Sequence, residues 1–136
     1  MALEPEKKDR SYQFGRLFAL LEKAERDTYS KNGEDEKREP NAIRVQLTFS
    51  QRPLYMSNLL WQQIESVYLP QLEPRSRTFY RREFNQIMEV LSEFPTKELN
   101  RPLKETYLLG CSLQRNELYK SKEAKQEEKN NGSTEE

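Results

Sequence analysis

Between Pro74 and Asn85 the sequence reads PRSRTFYRREFN, which sets Arg75, Arg77, Arg81 and Arg82 against a single acid, Glu83. At helical spacing Arg77, Arg81 and Asn85 stack on one flank of an apolar stripe, and Arg82 falls on the other. A helix that merely faces water tends to pair its arginines with acids three or four residues away. Arg81 and Arg82 have no acid at those positions, and Arg77 has only Glu73, which lies beyond Pro74. Guanidinium grips phosphate through a planar fork, and arginine is also common at protein interfaces. Nucleic acid, a protein partner and bare solvent are all open readings of this segment. Phe79 and Tyr80 lie among the arginines, and basic residues interleaved with aromatics suit a single-strand binding groove. Tyr80 sits on the core stripe, whereas Phe79 is less central. Arg44 and Arg52 make a second basic pair. Arg16 is expected on the polar side of the first helix, again without a nearby acid.

The residue inventory argues against catalysis. There is no histidine, so the commonest general base and metal ligand are missing. Cys111 is the one cysteine and has no base to activate it. It can build neither a disulfide framework nor a zinc cage within one chain. The carboxylates show no metal-binding or hydrolytic spacing, and there is no glycine-rich phosphate loop. No cofactor, metal or small-molecule substrate is expected. Lys plus Arg number 23 and Asp plus Glu 23, so no global field draws the chain onto nucleic acid or membrane. Such binding must come from local segregation of charge. No apolar run approaches the ~20 residues that span a bilayer. The segment Met1 to Arg10 is charged, unlike a signal peptide. A cytoplasmic protein is expected.

The elements that carry these residues read as helices. Phe14, Leu17, Phe18, Leu21 and Ala24 make a stripe from about Arg10 to Tyr29 or Ser30. Residues 30–41, SKNGEDEKREPN, form a flexible loop. Residues 42–49 are ambiguous: Ile43, Val45, Leu47 and Phe49 alternate as in a strand, yet a lone strand has no partner. Pro53 opens a helix, with Ser50 as a candidate cap, whose face is Met56, Leu59, Leu60, Ile64 and Val67. Pro70 and Pro74 bracket a break. A third helix from about Ser76 to Phe94 carries Tyr80, Phe84, Ile87 and Leu91, and Pro95 stops it. The fourth follows Asn100 and Pro102, with Leu103, Tyr107, Cys111 and Leu118 on one face. Gly110 within it suits a close helix–helix approach. The expected fold is all-α, a compact bundle of four to five helices. Residues 1–9 are an N-terminal lead, 10–119 the bundle, and 120–136 a disordered tail.

Two stretches carry a family resemblance. SYQFGRLFALLEKA runs from Ser11 to Ala24, and ETYLLGCSLQRNELYKSK from Glu105 to Lys122. Together they resemble the C-terminal helical part of the large subunit of type I-C CRISPR Cascade. That family has a Y-x-x-GRLFA-x-LE opening helix and a G-x-x-x-QR-x-x-LY closing helix. The sequence NAIR, Asn41 to Arg44, is similar to the family's NATIR-type stretch and favours a helix there. The loop that follows is shorter than usual in the family, and Cys111 and Ser112 stand where aromatics are common. In this family the same C-terminal part is also made separately as the Cascade small subunit, which a chain opening on Met1 just before the motif resembles. The resemblance implies a non-catalytic subunit that supports the guide–target heteroduplex and the displaced DNA strand. Its implied partners are the backbone and large Cascade subunits, a second copy of itself, crRNA and target DNA, with no membrane. The expected phosphate contacts are Arg77, Arg81 and Arg82, then Arg75, Arg52, Arg44 and Arg16. The alternative is a helical adaptor that binds only protein.

Overall fold

The computed structural model describes residues 1–33 and 39–134, with side chains described up to residue 120. Among the described residues all regular structure is helical, as the periodicity requires. Of the expected loop, residues 34–38 lie outside the described residues. Of the expected tail, so do residues 135–136 and every side chain beyond Lys120.

Helix α1 (Arg10–Lys31) begins where the Asp9 carboxylate accepts the Tyr12 amide at 3.0 Å. It ends ahead of Gly33, whose φ of 69° favours a residue without a Cβ. Every residue of α1 from Ser11 to Glu25 is buried. The helix is thus the axis of the bundle, and its polar flank is enclosed along with its apolar stripe. That is possible because the polar side chains find partners inside. Glu22 accepts from Arg26 at 3.0 Å and from Arg115 at 2.9 Å, and Lys23 pairs with Asp27.

The segment 42–49 is helical. It forms α2 (Asn41–Arg44) and α3 (Gln46–Gln51), joined at Val45. The strand-like alternation fails because a sheet has no second strand here, while α1 offers a docking site. Buried Glu25 accepts the amides of Asn41 at 2.7 Å and Ala42 at 3.2 Å, and the Tyr29 hydroxyl donates to it at 3.1 Å. A carboxylate at a helix N-terminus satisfies amides that the helix itself cannot. Ala42 and Phe49 then turn inward, with Phe49 edge-on to Phe18 at 5.1 Å. Replacing Glu25 with glutamine puts an amide donor against these donors. The expected cost is about 1–3 kcal/mol, with faster hydrogen exchange at Asn41 and Ala42. Unchanged exchange at both amides would refute this anchoring role.

Helix α4 (Pro53–Gln63) starts on its proline, and Arg52 occupies the cap position without a side-chain bond. Ser50 is therefore not the cap; its hydroxyl donates to the Leu47 carbonyl at 2.7 Å. Met56, Leu60 and Ile64 are buried, but Leu59 and Val67 stay exposed. The apolar face is narrower than the pattern predicts because none of the described residues covers its flank. Trp61 stacks flat on Phe84, with ring centroids 3.9 Å apart. The chain then widens into a π-helical turn (Ile64–Tyr68) and tightens into a 3-10 turn (Leu69–Gln71) at Pro70. Helix α5 (Pro74–Leu91) buries Tyr80, Phe84, Ile87 and Leu91 as expected and ends three residues short of Phe94. A single turn not anticipated from the pattern, α6 (Thr96–Leu99), leads to α7 (Thr106–Thr134).

Helices α1 and α7 run side by side in the same direction, since Tyr12 meets Gly110, Arg16 meets Gln114 and Lys23 meets Tyr119. Their backbones touch. A Cβ on Gly15 would lie 2.0 Å from the Tyr107 carbonyl oxygen, and one on Gly110 would lie 2.0 Å from that of Tyr12. The close approach expected at Gly110 is present, and Gly15 is its unforeseen counterpart.

Candidate nucleic-acid interface

Helix α5 splits its arginines between two flanks. On one, Arg75, Phe79 and Arg82 line a cleft of about 890 Å³ between the C-terminal end of α1, the N-terminal half of α5 and the middle of α7. Arg75 and Arg82 are exposed and have no ion pair among the described residues. The Arg82 guanidinium lies 5.9 Å from the Phe79 ring centroid, within cation–π reach. The floor includes Leu72, Leu118 and Tyr80. Burial pushes the Tyr80 hydroxyl well above its ordinary pKa, and the adjacent Asp27 carboxylate reinforces the shift. The hydroxyl stays protonated and donates to Asp27.

The other flank carries Arg77 and Arg81. Arg77 is half-buried and has no ion pair among the described residues. Arg81 is not free: its Nε donates to Glu65 at 2.7 Å, and that hydrogen bond, then the opposite charge, raises its pKa. Glu65 stands on the π-helical turn, sixteen residues away, where no helical-spacing rule would find it. As an exposed pair it holds geometry more than it stabilises the fold.

The second basic pair lies elsewhere. Arg44 is exposed at the end of α2, and Arg52 is exposed with its guanidinium 4.6 Å from the Tyr55 ring centroid. Neither borders the cleft. Arg16 corrects the sequence reading of its position. It is 1% exposed and lies inside the bundle, not on a polar surface. Its Nε donates to Gln114 at 2.8 Å, and one terminal nitrogen donates to the Pro5 carbonyl at 2.7 Å and to Gln13 at 2.8 Å. Burial lowers its pKa, and Glu83, 4.0 Å away, partly offsets that. A guanidinium so enclosed has no face left for a phosphate.

Two cations of the cleft, Lys23 and Lys31, are absent from the sequence-derived set. Lys31 sits in the last turn of α1, and a basic last turn is the one local signal that points to it. Cys111 is buried, and burial raises its thiol pKa, which leaves it a small core residue. Among the described residues no group of three or more acids and cysteines could hold a metal. No helix among them is long and apolar enough to cross a membrane.

The family described as CRISPR-associated protein (Cas_Csd1) matches residues 1–119. The chain belongs to that family. The match spans the opening motif, the NAIR stretch, all of α5 and the closing stretch as far as Tyr119 in this Csd1-family chain. A comparison with curated proteins finds no match.

Proposed function

We propose that this Csd1-family protein is the non-catalytic small subunit of a crRNA-guided type I-C Cascade effector, and that it acts in the cytoplasm. It lines the complex and stabilises the guide–target heteroduplex and the displaced DNA strand through phosphate contacts. The observation that carries this reading is that Arg75 and Arg82, exposed on one flank of α5, and the half-buried Arg77 on the other have no ion pair among the described residues of a CRISPR-associated chain. In such effectors base pairing reads the sequence and protein holds the backbone, which asks for cations and not for catalytic groups. Arg44 and Arg52 are further phosphate contacts in this reading. Arg81 is a weaker one, because a phosphate must first displace Glu65. Arg16 is withdrawn from the set.

In this reading the chain docks on the backbone and large subunits and on a second copy of itself, and the exposed side chains of Leu47 and Leu108 are free to be covered there. They fit the alternative equally, an adaptor without nucleic-acid contact, so the decisive experiment must separate the two. Arg75, Arg77 and Arg82 are changed together to glutamate, and target-DNA binding by the assembled complex is followed across a salt series. The slope of log affinity against log salt is expected to flatten by roughly 2 if single strand is held, and nearly 3 if duplex is. A variant that no longer joins the complex would establish the adaptor instead, and an assembled complex with an unchanged slope would rule out the phosphate contacts.

A further inference from the structure

We infer that the cleft between α1, α5 and α7 holds one unstacked base of a single strand, with the neighbouring phosphates on Arg75, Arg82 and Lys31; this rests on the function proposed above. The cleft combines two surfaces that ordinary solvated helices keep apart. Its floor is apolar, with Leu72, Phe79 and Leu118, and its rim is cationic. Of the acids in the rim, Asp27 is already engaged by Lys23 and by the Tyr80 hydroxyl. Glu73 is then the one acid left among the described lining residues against Lys31, Arg75 and Arg82, so their free charge is positive. An occupant that satisfies both surfaces carries a flat apolar part and an anion close together. A nucleotide does so.

The concavity decides between single and double strands. A duplex keeps its bases stacked inside and presents only phosphates and groove edges, which leaves an apolar floor unfilled. A splayed single strand can insert a base, and aromatic rings take any base because each has a π-face. The corner formed by Phe79 and Arg82 offers both a ring and a guanidinium plane. The volume of about 890 Å³ lies in the range of pockets that enclose small ligands. An acidic peptide would meet the rim equally well. The flat aromatic and guanidinium corner favours the base.

The test compares the full chain, free and in the assembled complex, against three fluorescent probes: a thymine-rich single strand, the same backbone made abasic, and a duplex of equal length. The single strand is expected to bind about tenfold more tightly than the abasic strand, which carries the same charge. Phe79 packs partly against the core, so Phe79→Leu is used to keep its apolar volume. That variant is expected to abolish the preference for bases while leaving the salt slope unchanged. Arg75→Ala with Arg82→Ala is expected to weaken both single strands alike and flatten the slope by roughly 1.4. Equal binding of normal and abasic strands would overturn the base pocket yet leave the phosphate-holding function intact. A preference that survives Phe79→Leu would also overturn it. Loss of the chain from the complex in the arginine variant, with no probe bound by the wild-type complex at this face, would overturn both readings and make the cleft a protein interface.

Discussion

Gly110→Ala is expected to lower the melting temperature by on the order of 10 °C or more, with Gly15→Ala close behind. Intrinsic helix propensity argues for the opposite sign, since alanine in a helix interior is favoured over glycine by ~1 kcal/mol. The crossing of α1 and α7 overrides that preference. The new methyl would sit 2.0 Å from a backbone carbonyl oxygen on the facing helix, and neither position has a flexible side chain that could move aside. Relief requires the two helices to separate by more than 1 Å along their tightest contact. That separation disturbs Arg16 with Gln114 and Glu22 with Arg115, which lie farther along the same seam. Overpacking typically costs ~1–3 kcal/mol, and a seam that must open along its length belongs at or beyond the upper end. For a domain of this size each kcal/mol shifts the midpoint by roughly 4 °C. The double variant should cost less than the two single ones together, because the first methyl already spreads the helices. Thermal unfolding followed by circular dichroism measures all three. A midpoint equal to or above that of the wild type would show that propensity wins and that the helices do not meet at backbone distance.

The same crossing explains what could be read from the sequence and what could not. Fold class was legible because helical periodicity is a local property: Tyr80, Phe84, Ile87 and Leu91 sit where their spacing puts them. The two end motifs were legible as a family resemblance, but their meaning was not. Gly15 faces α7 and Gly110 faces α1, Arg16 reaches Gln114, and Glu22 reaches Arg115. The residues that carry the resemblance are largely the two halves of one helix seam, and this pairing is invisible until the ends of the chain meet. Arg16 shows the cost of reading one helix at a time. On a surface helix the residues off the apolar stripe face water, but α1 is enclosed on every side over residues 11–25. Arg81 shows the same limit: its acid comes from a π-helical turn on another element. The cleft was only half legible, because Arg75, Phe79 and Arg82 share a flank of α5 while Lys31 joins them through packing alone.

Arg16→Ala is expected to cost roughly 3–5 kcal/mol, comparable to breaking a buried ionic network. The guanidinium ties four parts of the chain together: the N-terminal lead at Pro5, α1 at Gln13, α5 at Glu83 and α7 at Gln114. Its removal leaves the Gln114 carbonyl oxygen without its donor in the interior and opens a cavity the size of a long side chain. The Pro5 carbonyl fares better, since Gln13 and Gln86 also donate to it, at 3.1 and 2.9 Å. Those two bonds keep the lead in place and limit the loss to less than the full desolvation cost of every partner. Arg16→Lys should recover little, because a point charge cannot serve Gln114, Pro5 and Gln13 through one planar fork. Arg16→Met separates packing from hydrogen bonding: it refills much of the cavity while donating nothing, so it should fall between wild type and alanine. Urea unfolding of the free chain ranks the four proteins. The DNA-binding salt slope of the assembled complex supplies the second axis, and for Arg16→Met it should match the wild type, since a buried guanidinium releases no counterions from DNA. An Arg16→Ala chain as stable as the wild type, in a complex whose slope has flattened, would reverse the assignment and return Arg16 to the phosphate-binding surface.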